Sequence, residues 1–166
     1  ITESECKILI NNAKHNLVDS SVIDVNTNKS IITKYRTSKT AYITPNKITD
    51  KMYKKLENII NISKNNYEPL QIAKYSKGQY YKPHYDNIEI YNIRPKTLII
   101  YLSDNYTGGY TDFPLLNKKF KLKRGSAILF DNLDTKNNTH LLSLHQGTPV
   151  YEGNKWIATI WIKQSS

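Results

Sequence analysis

The chain of 166 residues contains one cysteine, Cys6, so it can form no internal disulfide and no zinc site built from cysteines. It has no apolar run near the ~18 residues of a membrane span, and no signal-peptide pattern is visible. No repeat, low-complexity tail or linker divides it. We therefore expect one soluble domain held by its hydrophobic core. The sequence distinguishes neither cytoplasm from secretory lumen nor one oligomeric state from another.

Arginine is also scarce. The net charge of +10 comes from 24 basic against 14 acidic residues, yet the arginines are only Arg36, Arg94 and Arg124. A basic balance can indicate a nucleic-acid or acidic partner. Here the lysines are scattered among asparagine and isoleucine, which is typical of a compositional bias rather than of a phosphate-binding patch. We therefore do not predict a nucleic-acid partner.

Two helices are predicted near the start of the chain. Thr2 and Glu5 form a capping box in "TESE". The apolar residues that follow it at helical spacing are Cys6, Leu9, Ile10, Ala13 and Leu17. A second helix is predicted to begin at Thr49 or Asp50. Its predicted buried stripe is Met52, Leu56, Ile59 and Ile60. The polar stretch between the helices is predicted to be irregular.

Short strands are predicted from residue 69 onward. The β-rich runs are "LQIAKY", "KTLIIYLS", "SAILFD", "HLLSLH" and "KWIATIWI". Turn signals separate about eight short strands, with no helix between them, which favours a sandwich, jelly roll or barrel. We expect an α+β, mainly β fold: a double-stranded β-helix (jelly roll) with the N-terminal helices packed on one face. One catalytic domain would span 1–166, with a helical part at about 1–66 and the jelly-roll core at about 67–166.

The stretch "GQYYKPHYD" contains the first candidate for chemistry. His84 and Asp86 stand at i and i+2, so on an extended strand both side chains point to one face. One imidazole and one carboxylate make two thirds of the 2-His-1-carboxylate site that binds Fe(II) and leaves positions open. Alone, this pair is a weak signal, because a surface histidine beside a solvated aspartate has the same pattern.

The third ligand must come from a distant segment. Only His140 and His145 follow Asp86; His140 follows a polar loop, whereas His145 ends an apolar run about sixty residues after Asp86. Lys155, ten residues after His145, opens the apolar strand "KWIATIWI". It is either a strand-edge lysine that reaches solvent or a buried cation that needs an anionic partner. A dicarboxylic cosubstrate that chelates iron at one end would supply that partner at its other end.

Together these motifs resemble the catalytic domain of the prolyl 4-hydroxylases, which are Fe(II)- and 2-oxoglutarate-dependent dioxygenases. "LQIAKYSKGQYYKPHYD" resembles that family's tyrosine, turn and "Y.PH.D" segment, and "TLIIYLSDNYTGGYTDFP" its "YL…GGET.FP" segment. "KRGSAILFDNLD" resembles its "G.AL.F.N" strand. "SLHQGTPVYEGNKWIATIWI" resembles the "S.H.G.PV..G.KW…W" segment at the end of the family's domain. The opening helices and "YRTSKTAYI" also look like the family, so the resemblance covers nearly the whole chain.

The resemblance implies a role for nine residues. The iron ligands would be His84, Asp86 and His145. Lys155 would bind the distal carboxylate of 2-oxoglutarate and Tyr75 would hydrogen-bond it, with Thr111 and Trp161 as further cosubstrate contacts. Tyr81 and Arg94 would contact a peptide substrate. The implied cofactors are Fe(II), 2-oxoglutarate, O2 and ascorbate as reductant.

Three departures bear on the substrate. Tyr110 replaces the acid of the family's "GGET", and Lys163 stands where the family often has a histidine after its last tryptophan motif. The segment between Asp86 and Thr97 is short. These differences leave the iron and cosubstrate residues intact but leave the substrate sequence open.

The resemblance implies 4-hydroxylation of prolyl residues in a peptide or protein, with a proline-rich or collagen-like substrate as one expectation. One alternative is a 2-oxoglutarate oxygenase of another substrate, such as other peptidyl residues or alkylated nucleic acid. The demethylases of alkylated nucleic acid use arginine for the distal carboxylate, and Lys155 argues against them. Another alternative is a non-catalytic jelly-roll module that binds peptides.

Overall fold

A computed structural model describes residues 1–24, 27, 29–87 and 93–164 of the chain. Its helices are α1 (Glu3–Ala13) and α2 (Lys47–Ile60). Its first seven strands are β1 (Val18–Asp19), β2 (Ser21–Ile23), β3 (Ser30–Ile32), β4 (Lys39–Tyr42), β5 (Gln71–Tyr75), β6 (Tyr81–His84) and β7 (Lys96–Tyr101). The other seven are β8 (Thr107–Gly108), β9 (Thr111–Phe113), β10 (Lys118–Phe120), β11 (Ala127–Asp131), β12 (His145–Gly147), β13 (Val150–Glu152) and β14 (Lys155–Ile162).

Side-chain caps set where the two helices begin. The predicted capping box of α1 is confirmed: the Glu5 N–H donates to Thr2 Oγ1 at 3.2 Å, and the Thr2 N–H donates to Glu5 Oε2 at 2.8 Å. The predicted start of α2 is wrong by two or three residues. Asn46 caps this helix by accepting from the N–H groups of Ile48 and Thr49, so α2 begins at Lys47.

Two further sequence predictions of local structure are wrong. The stretch between the helices is not irregular, because it contains β1 to β4, and β4 pairs with β5 in the main sheet. That pairing depends on a distant partner, which a local pattern does not reveal. "HLLSLH" is not one strand: Leu141–Ser143 form a 3-10 turn, and β12 begins only at His145, where pairing with β6 begins.

Two antiparallel sheets form the body of the fold. The larger has six strands in the order β1-β4-β5-β14-β7-β11, and the smaller has four in the order β10-β9-β12-β6. A cavity between them is lined by residues of both sheets. The helices cover the opposite face of the larger sheet, where Leu9 and Met52 join its core. None of the described helices is long and apolar enough to cross a membrane.

Alternation along the strands of the larger sheet assigns each residue to one of these two faces. In β14, Ala158 and Ile160 pack with the helices, whereas Lys155 and Ile157 line the cavity. Both faces of β14 are therefore buried, and this burial explains why its sequence is a nearly continuous apolar run rather than an alternating one. The lysine that interrupts this pattern lies on the cavity face.

The two predicted helical stripes are only partly correct. In α1, Cys6, Leu9 and Ala13 are buried, as predicted, but Leu17 lies beyond the end of the helix at Ala13, although it packs against the same core. In α2, Met52 and Leu56 are buried, but Ile59 is 78% exposed and was wrongly placed in the stripe.

A pair of isoleucine substitutions tests this packing. Ile160 is 0% exposed, so Ile160→Ala removes buried apolar volume and leaves a cavity. We expect a loss of about 2–5 kcal/mol in the free energy of unfolding, measured by urea titration. The matched variant Ile59→Ala should change it by less than about 0.5 kcal/mol, because that side chain faces solvent. Equal losses in the two variants would contradict the assigned faces.

Candidate active site

Three potential metal ligands converge at the cavity end of the smaller sheet. His84 ends β6 and His145 begins β12, and the two are directly paired across these antiparallel strands. Their rings lie 4.3 Å apart between centroids. The spacing predicted that Asp86 lies on the same strand as His84, but Asp86 lies in the bend after β6. Its carboxylate nevertheless faces the Nε2 atoms of both histidines.

The ligand atoms of these residues lie close together and are oriented. They all fall within 4.8 Å of one another. His84 Nε2 is 3.5 Å from Asp86 Oδ1, and His145 Nε2 is 3.7 Å from Asp86 Oδ2. Each histidine Nδ1 lies at hydrogen-bond distance from the carbonyl two residues earlier, that of Lys82 at 2.8 Å and that of Ser143 at 2.9 Å. An N–H at Nδ1 leaves Nε2 free for a metal, so this donor set fits Fe(II).

The ionisation of these groups also suits a metal. Burial, together with the neighbouring His145, lowers the pKa of His84 to about 3. Burial acts to raise the pKa of Asp86, but His145, His84 and a hydrogen bond from Thr97 outweigh it and hold that pKa below its usual value. At neutral pH the His84 imidazole is therefore neutral and the Asp86 carboxyl is ionised, which are the forms that bind cations.

The cavity beside this cluster contains most of the residues singled out from the sequence. Its lining includes His84, Asp86, His145, Tyr75, Tyr81, Thr111, Lys155 and Trp161. The structure therefore brings eight of the nine residues to one cavity. The ninth, Arg94, does not line it. Their individual roles stay predictions.

Lys155 is the unusual member of this set. It is 2% exposed, and no described carboxylate forms an ion pair with it. Its Nζ lies 3.4 Å from Thr111 Oγ1 and 5.5 Å and 5.7 Å from the ring centroids of Tyr75 and Tyr101. Burial lowers the pKa of Lys155 to about 7. A buried amine without an acidic partner is costly, and a bound anion would remove that cost.

The two predicted substrate contacts differ in position. The Tyr81 ring stacks on His84, with 3.5 Å between centroids and 15° between planes. Arg94 instead donates to both carboxylate oxygens of Glu68 at 2.7 Å, lies 4.3 Å from the Trp161 ring and donates to the Asp86 carbonyl at 3.3 Å. The shortened segment between Asp86 and Thr97 includes residues 88–92, which lie outside the described residues.

Arg36 was missed as a site residue in the sequence. It lines the cavity, is 8% exposed and donates to Gln71 Oε1 at 2.8 Å and Ser38 Oγ at 3.1 Å. Its guanidinium lies 4.8 Å from the Tyr81 ring centroid. An arginine in a lysine-dominated chain was the available signal, but only the bridge between Arg36 and Tyr81 brings it to the cavity.

Comparisons with known proteins agree with this arrangement. Residues 70–163 match the model of the 2OG-Fe(II) oxygenase superfamily. A prolyl 4-hydroxylase homologue of Acanthamoeba polyphaga mimivirus is 34% identical over 99% of this chain and 71% of its own length. Prolyl 4-hydroxylase 2 of Arabidopsis thaliana is 35% identical over 100% of this chain and 65% of its own length. The chain thus spans about two thirds of these relatives.

Solved structures extend the similarity to three dimensions. A viral collagen prolyl hydroxylase from Paramecium bursaria Chlorella virus-1, in a 2OG complex, has a TM-score of 0.79 and 33% identity, covering 99% of this chain and 92% of that one. A Trichoplax adhaerens prolyl hydroxylase with a hypoxia inducible factor peptide fragment is 19% identical, with a TM-score of 0.68, covering 96% of this chain and 75% of that one. At 19% identity, the similarity to the Trichoplax protein shows only that the two chains share a fold. The predicted jelly-roll fold is confirmed.

The two downstream histidines provide a matched test of the metal site. His145→Ala removes one of three ligands, and we expect it to abolish stoichiometric binding of Co(II) in an anaerobic titration followed by visible absorption. His140→Ala should bind Co(II) as the unaltered chain does, because His140 lies outside the cluster. Loss of binding in the His140 variant but not in the His145 variant would refute the assignment.

Proposed function

The chain belongs to the prolyl 4-hydroxylase family of the 2OG-Fe(II) oxygenase superfamily, and we propose that it 4-hydroxylates prolyl residues in a peptide or protein. Fe(II) is the metal cofactor and 2-oxoglutarate and O2 are the cosubstrates of this enzyme class. One O2 and one 2-oxoglutarate are consumed per hydroxyl group, with release of succinate and CO2. We take residues 1–166 as a single catalytic domain, since β4 and both helices pack on the core sheet.

One observation carries this proposal: the cavity that contains the ligand cluster also contains the amine of Lys155, which has no acidic partner among the described residues. A metal site alone fits many proteins, and a buried lysine alone could be structural. A metal ion and a cation facing one cavity are what a chelating dicarboxylate requires. A non-catalytic peptide-binding module gives no reason for this costly amine.

His84, Asp86 and His145 would hold Fe(II). When bound, Fe(II) and 2-oxoglutarate together supply the activation of O2, which the side chains cannot provide. As ligands, the two imidazoles would carry no charge and the carboxylate would carry one, so only one charge of the ion would be balanced. The remaining charge favours an anionic chelating cosubstrate.

The far end of the cosubstrate would bind at Lys155. Its amine would donate to the distal carboxylate. The Thr111 hydroxyl, whose Oγ1 lies 3.4 Å from Lys155 Nζ, would be a second donor to that carboxylate. Tyr75 would contribute its hydroxyl, and its ring already lies beside the amine. Trp161 would close the wall near Asp86, and its Nε1 is buried without a partner among the described residues. These groups orient the cosubstrate and exclude water from it.

The peptide would approach from the side of Tyr81, whose ring covers His84. Flat aromatic surfaces suit proline, because extended proline-rich chains are preordered and stack on aromatic rings. Arg94, which lies next to Trp161 and the Asp86 carbonyl but does not line the cavity, would contact the peptide substrate. The viral relative of 33% identity acts on collagen, and this supports a proline-rich or collagen-like substrate.

Mass spectrometry of proline-rich peptides tests the activity. With Fe(II), ascorbate, 2-oxoglutarate and O2, we expect a gain of one oxygen atom on proline together with equimolar succinate. Asp86→Ala should abolish both products, whereas Asp131→Ala, at an exposed acid outside the cavity, should retain them. Succinate and hydroxyproline formation by the Asp86 variant would contradict the proposed iron site.

The pH dependence of cosubstrate binding tests Lys155. Its pKa of about 7 means that the amine of the free protein loses its charge as pH rises above this value. Because the dicarboxylate binds the charged amine, its affinity should be level below about pH 7 and fall by up to about tenfold per unit above it. Calorimetric titration of the Mn(II)-loaded protein with 2-oxoglutarate measures this slope.

Lys155→Arg is the matched control, because a guanidinium stays charged across this pH range. We expect the slope to disappear in that variant. An affinity in the unaltered chain that does not change between about pH 6 and about pH 9 would contradict the assigned role of Lys155.

A further inference from the structure

We propose that Asn132 is a positioning residue that fixes two of the three metal ligands, Asp86 and His145, through two separate chains of hydrogen bonds. The inference rests on the proposed function in one respect, since it takes the ligand cluster as a working metal site. Asn132 immediately follows β11 and does not line the cavity, so it can act only through other residues. It is 0% exposed.

The first chain runs through side chains to Asp86. Asn132 Nδ2 donates to Thr97 Oγ1 at 2.8 Å, and Thr97 Oγ1 donates to Asp86 Oδ2 at 2.8 Å. Thr97 is also fully buried, so water does not compete for these groups. The arrangement links β7, the end of β11 and the bend that carries Asp86.

The direction of this chain follows from donor and acceptor roles. An ionised Asp86 can only accept, so the Thr97 hydroxyl must donate to it. Thr97 then receives its own bond from Asn132, which must present its NH2 group rather than its oxygen. With Oδ2 engaged by Thr97, Asp86 Oδ1 is the oxygen that the network leaves for a cation. The Asn132 amide, acting through Thr97, thus restricts rotation of the Asp86 carboxylate.

The second chain runs through the backbone to His145. The Asn132 carbonyl accepts from the His140 N–H at 2.8 Å, and the His140 carbonyl accepts from the Ser143 N–H at 2.8 Å. The Ser143 carbonyl in turn faces His145 Nδ1 at 2.9 Å. Asn132 is itself fixed, since its N–H donates to the Pro95 carbonyl at 2.7 Å. The 3-10 turn that orients the His145 ring is therefore tied to the same residue as Asp86.

The unbalanced bonding of Asn132 argues for a role beyond packing. Its Oδ1 is buried and has no partner among the described residues. A buried acceptor left unsatisfied lowers stability, and an apolar side chain of the same shape would avoid that cost. The side chain makes one strong donation, and that donation is directed at the hydroxyl that holds a metal ligand.

Binding of Mn(II) tests this inference, because it is measured by electron paramagnetic resonance of the free ion without any catalytic turnover. Thr97→Val keeps the shape of the side chain and removes the hydroxyl, and we expect roughly 10- to 100-fold weaker binding. Thr97→Ser restores the hydroxyl and should bind Mn(II) as the unaltered chain does. Asn132→Asp should also weaken binding, because its carboxylate would accept the Thr97 hydroxyl and withdraw it from Asp86.

Asn132→Leu removes the donor without placing a charge in the core, and it should fold while binding Mn(II) more weakly. Each variant is first compared with the unaltered chain by urea unfolding. The inference is overturned if Thr97→Val and Asn132→Leu bind within about threefold of the unaltered chain, or if Thr97→Ser binds as weakly as Thr97→Val. If the unaltered chain itself binds no Mn(II), the metal site fails instead, so the two failures are distinguishable.

Discussion

The pairing of β6 with β12 is the contact on which the site depends. It sets His84 directly opposite His145 in the smaller sheet, although the two are separated by about sixty residues of chain. A one-residue slip in register would turn one imidazole to the other face of the sheet and destroy the cluster. The carbonyls of Lys82 and Ser143 then fix each ring, so both Nε2 atoms face Asp86. Local backbone and cross-strand pairing thus share the task of preorganising three ligands.

The larger sheet supplies the other half of the site by burying both of its faces. Its helix-covered face makes the hydrophobic core, and this rigid support allows the opposite face to hold polar groups that do not stabilise the fold. Lys155 on the cavity face and Asn132 just beyond the end of β11 both illustrate this balance. Among the residues that the structure describes, one is a buried amine without an acidic partner and the other is a buried amide with an unsatisfied oxygen. Such groups are typical of functional sites, where stability is lower than packing alone would allow.

Local sequence was informative for most features that depend on near neighbours, although the Asn46 cap that starts α2 was missed. The lysine that opens β14 pointed to the cavity. His84, Asp86 and His145 also lie there, although Asp86 is beyond the end of β6 and the apolar run before His145 forms a 3-10 turn rather than a strand. The capping box at Thr2 was equally readable. Features that depend on distant partners were missed. Nothing near Asn132 or Thr97 indicates that they meet across 35 positions, and Arg36 reaches the cavity only through its bridge to Tyr81. Ile59 fits the apolar period of α2, but its side chain is exposed to solvent.

The most direct test of the account is a crystal structure of the chain grown anaerobically with Mn(II) and 2-oxoglutarate. The account predicts one anomalous-scattering peak bonded to His84 Nε2, His145 Nε2 and Asp86 Oδ1, with the cosubstrate chelating it. The distal carboxylate of the cosubstrate should lie at hydrogen-bond distance from Lys155 Nζ. A metal peak away from these three side chains, or a Lys155 amine without the carboxylate, would contradict the account.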